Sequence, residues 1–281
     1  MSMQIASAWV ESPLQLLCVI EYAAARQVPV RVIPRSGAVQ LPETAERLRA
    51  IGLPDGVTIE APRGLPALGG GHWIIGDAFS GVTRSALALR MPERLTIVDD
   101  GADTLRLVPV LNGQARLSRS TDTVAARAIA ELATARLRDL DDTGALELFS
   151  YYALDLPARS PNRFRWLRSR GLVPEVPSRI VLGAAAVTDG LLDVDRYLDW
   201  VRAQAPAAYF PHRRETPSLR ARVAAIEGIA IEEKGLPIEL VLAGARGVSV
   251  VSLPSSAVET LRIVLLGTGS SVEVESALVA A

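Results

Sequence analysis

Short apolar runs alternate along this chain with stretches whose apolar residues recur at helical spacing. QIASAWV (4–10) reads as a strand and PLQLLCVIEYAAAR (13–26) as a helix. Between them Ser12 is placed to cap, Pro13 suits the first helical position, and Gln15 completes a capping box. PVRVI (29–33), VTIE (57–60), HWIIGD (72–77) and RLTIVDDG (94–101) are further strands, with helices at ETAERLRAI (43–51) and SGVTRSALAL (80–89). The pattern blurs from 105 to about 150, where LRLVPVL (105–111) reads as a strand and TVAARAIAELATARLRDL (123–140) as a helix.

Residues 156–179 are rich in Pro and Arg and have no clean period, as a hinge would. A second alternation follows, with strands RIVLG, AAYF, GIAIEE and GVSVVS. The helices VDRYLDWVRA, PSLRARVAAI, PIELVLAG and SSAVETLRIVLL are interleaved with them. This βα alternation predicts parallel sheets covered on both faces. The simplest architecture is α/β, two Rossmann-like domains facing across a cleft: residues 1–160, a linker at 161–178, and 179–281. In such sheets ligands bind beyond the carboxyl ends of the strands. That rule selects Glu11-Ser12, Gly76-Asp77, Asp99-Asp100-Gly101, Gly183, His212 and Ser255-Ser256 without reference to their chemistry.

Composition narrows the partners. Of 281 residues 49% are hydrophobic, enough for a large core, and the net charge of −1 comes without a basic block. Phosphate-neutralising nucleic-acid binding is therefore disfavoured. The single cysteine, Cys18, lies in an apolar stretch and suits a reducing compartment. With neither a signal-peptide pattern nor an 18-residue apolar window, the chain is expected to be cytoplasmic. Peripheral association with the inner face of the plasma membrane and a homodimer both stay open.

The junctions carry the candidate chemistry, and each has a structural alternative. In IVDDGAD (97–103) two adjacent carboxylates crowd one strand end, so one has reason to hold a proton and act as a base. Asp-Gly is equally a turn dipeptide. In PHRRE (211–215) His212 is placed to meet a leaving phosphate, or the segment is a solvated loop before a Thr216-Pro217 helix start. Ser256 and Glu259 match a capping box, while the same helix N-terminus with two hydroxyls makes an anion site. Glu239 either complements a helix dipole or takes the two hydroxyls of a ribose. His72 begins a strand and suits packing; its strand leaves Asp77 at the far end. ALGGGHW lacks the lysine and spacing of a phosphate loop, and no CxxC, HExxH or GxSxG occurs.

Taken in order, acid-Asp-Gly, a strand ending in Pro-His, a P-I-E-L helix and a Ser-Ser pair opening a helix resemble the bacterial sialyltransferases. The lipooligosaccharide sialyltransferase and polysialyltransferase group is most similar, and ESPLQLL and IIGD add to the likeness. The resemblance implies a GT-B fold, with an acceptor-side N-terminal domain and a C-terminal domain binding the nucleotide sugar. It implies inverting transfer of a sialic or related nonulosonic acid from a CMP-activated donor to a glycan or other hydroxyl acceptor, with no metal or other cofactor. Asp100 would then be the general base and His212 the acid or phosphate partner. Glu239 would hold the ribose, Ser255 and Ser256 the phosphate, and Gly183 would admit the cytosine. Ser12, Gln15, Asp77 and Asp99 would stand on the acceptor side.

One residue departs from the pattern. Arg213 stands where the group has proline, and its guanidinium is available to Glu215 or to the donor's carboxylate or phosphate. Two other readings stay open: a GT-B enzyme using another nucleotide sugar, as transferase or epimerase, and a catalytically silent GT-B-like binding protein.

Overall fold

The computed structural model describes residues 5–69, 71–232 and 235–278. The predicted strand ends at Gln4 and Glu233 and the one lysine, Lys234, lie outside the described residues. The chain divides into two compact units, Met1–Trp166 and Leu167–Ala281.

The first unit is built on strands β1 (Ala6–Val10), β2 (Val30–Pro34), β3 (Val57–Ile59), β4 (His72–Ile75), β5 (Arg94–Val98), β6 (Leu146–Ser150) and β7 (Arg159–Pro161). They pair in the order 3-2-1-4-5-6-7, all parallel. Its helices are α1 (Pro13–Arg26), α2 (Leu41–Ile51), α3 (Gly81–Leu89), α4 (Leu107–Leu111) and α5 (Val124–Asp142). One core layer joins Trp9, Trp73, Ile75, Ile97 and Leu148 of the strands to Leu87 of α3 and Leu137 of α5. On α1, Tyr22 meets Phe149 and His72 edge to face.

The unit boundary falls within α6 (Arg165–Arg168). In the second unit β8 (Arg179–Leu182), β9 (Ala207–Phe210), β10 (Ile229–Ile231), β11 (Ser249–Ser252) and β12 (Ser271–Val274) form a parallel sheet. Its order is 10-9-8-11-12. Strand alternation sends Val181, Tyr209 and Val251 to one face, against α7 (Val194–Arg202) and α8 (Pro217–Ala224). Ile180, Leu182, Phe210 and Val250 face the other way, against α9 (Ile238–Val241) and α10 (Ser256–Val264). The sheet is therefore covered on both sides, as period-two burial in a parallel sheet requires.

The molecule is thus α/β with two parallel sheets in Rossmann-like strand order. In each sheet the first strand of the unit lies between the second and the fourth. That places a topological switch point between β1 and β4 and another between β8 and β11.

Several elements differ from the sequence expectation. LRLVPVL is not a strand: Asp103–Arg106 form a 3₁₀ turn that runs into α4. Pro109 cannot donate to a ladder but is tolerated in a first helical turn. Leu107 and Val110, spaced for a helix, are the residues that reach the core. Strand β6 was hidden because Glu147 interrupts its apolar run, yet all five of its residues are buried. The fold tolerates that carboxylate through Arg26, Arg94 at 2.7 Å, Tyr22 at 3.2 Å and Ser160 at 2.7 Å. Part of the stretch read as a linker is packed: Asn162 and Phe164 are fully buried, and Trp166 N–H donates to Glu21 at 3.0 Å. Cys18 is buried, and the Asn162 amide donates to its sulfur at 3.5 Å. No helix among the described residues is long and apolar enough to cross a membrane.

Candidate active site at two switch points

At the switch point of the first unit, β1 ends in Glu11-Ser12 and β4 in Gly76-Asp77. Ser12 caps α1, accepting from Gln15 N–H at 3.3 Å, and its hydroxyl donates to Asp100 Oδ1 at 3.1 Å. Gln15 departs from the predicted box. Its carbonyl oxygen accepts from the N–H of Glu11 at 2.7 Å, one residue before the cap. The side chain lies across the end of β4, where a Cβ on Gly76 would stand 2.2 Å from its Cγ and Cδ. Glycine at 76 is thus a packing requirement of Gln15.

Asp77 accepts from Phe79 N–H and from Arg119, both at 2.7 Å. Burial pushes its carboxyl up to about 6, helped by the like charge of Asp100 and opposed by Arg119. Asp99 and Asp100, adjacent in sequence, separate in role. Asp99 is fully buried, accepting from Ser150 Oγ at 2.6 Å and Tyr151 N–H at 2.7 Å. Burial pushes it up to about 7. It ties β5 to the end of β6, and Thr104 hydrogen-bonds to it as well. Asp100 is half-buried, its backbone N–H donating to Thr104 at 3.0 Å.

Sequence reasoning missed Arg119, which falls in the stretch without clear periodicity, and gave no role to Asp103, the last residue of IVDDGAD. Asp77, Asp100 and Asp103 bring carboxylate oxygens within 4.8 Å of one another, a spacing that a cation could bridge. Arg119 already supplies positive charge there, 2.7 Å from Asp77 and 3.8 Å from Asp103.

At the switch point of the second unit, β8 runs into Gly183 and β11 into the Ser255-Ser256 pair. Ser255, not Ser256, is the N-cap of α10, and its hydroxyl makes no cap bond. The predicted Ser256–Glu259 box does not form: Ser256 is already the first helical residue, and Glu259 pairs with Arg262 at 3.0 Å. Glu239 is 4% exposed and accepts from Thr260 of α10 at 2.5 Å; burial raises its pKa. Its helix, α9, is a single turn, shorter than PIELVLAG suggests. The Glu239 carboxylate is nonetheless hydrogen-bonded to α10, the helix that the serine pair opens.

His212 follows β9, half-buried. Its Nδ1 accepts from Arg214 N–H at 3.2 Å, so a neutral ring carries its proton on Nε2. Burial lowers its pKa, and Arg213 and Arg214 lower it further. Arg213 does not pair with Glu215. It is exposed and makes no ion pair among the described residues, whereas Arg214 binds Asp189. Gly183 meets Glu215 directly: an added Cβ would stand 2.0 Å from Oε1 and 2.6 Å from His212 N. The glycine makes room for that carboxylate.

No known family model matches the chain, and no curated protein matches it in sequence.

Proposed function

We propose that the chain is an inverting GT-B glycosyltransferase that moves a sialic acid or related nonulosonic acid from a CMP-activated donor to a hydroxyl acceptor. The observation behind this reading is the second unit's switch point. There α10 opens with two hydroxyls that are not spent on capping, and Glu239 of α9 is tied to α10 through Thr260. A helix N-terminus of this kind suits a phosphate, and Glu239 is suited to a ribose. His212 with an Nε2 proton and the unpaired Arg213 add donors for the leaving phosphate or the sugar's carboxylate.

In this reading the first unit holds the acceptor. Asp100 takes the acceptor hydroxyl's proton as the new C–O bond forms, and the anomeric carbon–phosphate oxygen bond breaks with its electrons leaving on CMP. Ser12 orients the carboxylate through its 3.1 Å hydrogen bond. A positioned base contributes about 10²–10⁴ in rate, and preorganised donors stabilise charge growing on the phosphate. Arg213 in place of the group's proline makes the donor's acidic sugar the point at which this chain would diverge.

Thermal shift against CMP, UMP, UDP and GDP tests the nucleotide; CMP alone should stabilise, and a preference for UDP would overturn the reading. CMP release in the presence of acceptor tests the roles. Asp100→Ala should lose about 10²–10⁴ in rate, with His212→Ala also slowed. Wild-type rates in both variants would remove both assignments.

A further inference from the structure

We propose that Glu215 is the positioning residue of the second unit's site, closing the turn that holds the His212 imidazole as an Nε2–H donor toward the ligand's anion. This rests on reading that switch point as an anion site.

Glu215 and His212 are bonded reciprocally. His212 N–H donates to Glu215 Oε1 at 2.8 Å, and Glu215 N–H donates to the His212 carbonyl at 2.9 Å. Oε1 also accepts from the Tyr209 hydroxyl at 2.8 Å, and that hydroxyl is 2.7 Å from the hydroxyl of Tyr197. The carboxyl is anchored from β9 and α7 and lies on Gly183 at the end of β8. A hydroxyl or amide could close such a turn without burying a carboxyl. Here Glu215 is 5% exposed, and Oε2 is buried with no hydrogen-bond partner among the described residues. A costly, half-satisfied carboxyl beside a switch point is a feature that folding alone does not favour.

The turn governs the histidine. The Arg214 N–H reaches His212 Nδ1 only while residues 212–215 keep this geometry, and that bond assigns the ring proton to Nε2. The charged groups facing the imidazole are Arg213, Arg214 and Asp189. Arg220 approaches the His212 carbonyl at 3.5 Å and acts on Glu215. The arginines disfavour a charged imidazole, so His212 serves as a neutral donor and Arg213 provides the charge.

The chain has two histidines, so imidazole ¹⁵N spectra are assigned with a single variant, His72→Gln. Wild type should show His212 as the neutral Nε2–H tautomer at pH 7; a ring protonated on Nδ1, or charged, would overturn the proposal. Glu215→Gln keeps an acceptor oxygen and should keep the tautomer. Glu215→Ala should give mixed tautomers and a higher pKa, and weaken CMP binding roughly tenfold. An unchanged His212 tautomer and titration in folded Glu215→Ala would overturn the role. Failure of the wild type to bind CMP strikes the functional reading instead, and leaves the tautomer result standing.

Discussion

The hydroxyl of Ser12 donates to Asp100 Oδ1 at 3.1 Å, across 88 residues of sequence. The same oxygen caps α1 by accepting from Gln15 N–H, so one side chain joins the end of β1 to the end of β5. Ser12→Ala should lower stability by about 1 kcal/mol through the lost cap. Ser12→Thr should retain most of it. Urea denaturation of the two variants checks this, and equal midpoints for alanine and wild type would exclude the cap as a stabilising contact.

Gly76 and Gln15 should behave as a coupled pair. Gly76→Ala puts a methyl 2.2 Å from the Gln15 Cγ and Cδ and should cost about 1–3 kcal/mol. Shortening the glutamine in Gln15→Ala removes the clash, so the double variant should be more stable than the sum of the single losses predicts. Strict additivity would show that the two do not share the space.

Buried Asp99 and half-buried His72 give stability opposite slopes with pH. Asp99, pushed up to about 7 by burial, keeps its proton in the folded state after the unfolded chain has lost it. Its contribution is fully present below about pH 4 and disappears as pH rises through 7. His72, pushed down to about 4 by burial and by Arg94, does the reverse. Its contribution is present above pH 6.5 and is lost as pH falls through 4. Asp99→Asn should therefore gain on wild type between pH 4 and 7, and His72→Gln should gain as pH falls over the same window. Parallel stability curves for wild type and either variant would exclude that group.

The serine pair opening α10 should separate binding from folding. Neither hydroxyl caps the helix through the expected box, so Ser255→Ala combined with Ser256→Ala should change stability by no more than about 0.5 kcal/mol. CMP affinity should fall by about tenfold as phosphate donors are lost. Lost stability with unchanged affinity would reverse the assignment.

The alternation of βα units was legible because β-branched runs such as RIVL and helical spacing such as VDRYLDWVR are local signals. Breaks came where a tertiary contact overrode them. Glu147 hid β6 because its partners Arg26, Arg94 and Ser160 lie elsewhere in the chain, and LRLVPVL looked like a strand although Leu107 and Val110 reach the core as a helix. The site divided in the same way. Position at a strand end singled out Asp77, Asp100, His212 and the serine pair, while Arg119 and the buried contacts of Glu215 had no local sign.

By itself, the sequence determined the α/β class, most of the strands and the set of polar residues at strand ends, because periodicity and turn chemistry depend on neighbouring residues. Only the tertiary structure decided the strand orders that create the two switch points. It also decided that Asp99 is buried while Asp100 is half-exposed, and that Gly183 admits the Glu215 carboxylate. Those outcomes depend on which distant groups share a small volume, where burial and hydrogen bonding set the state of each carboxyl.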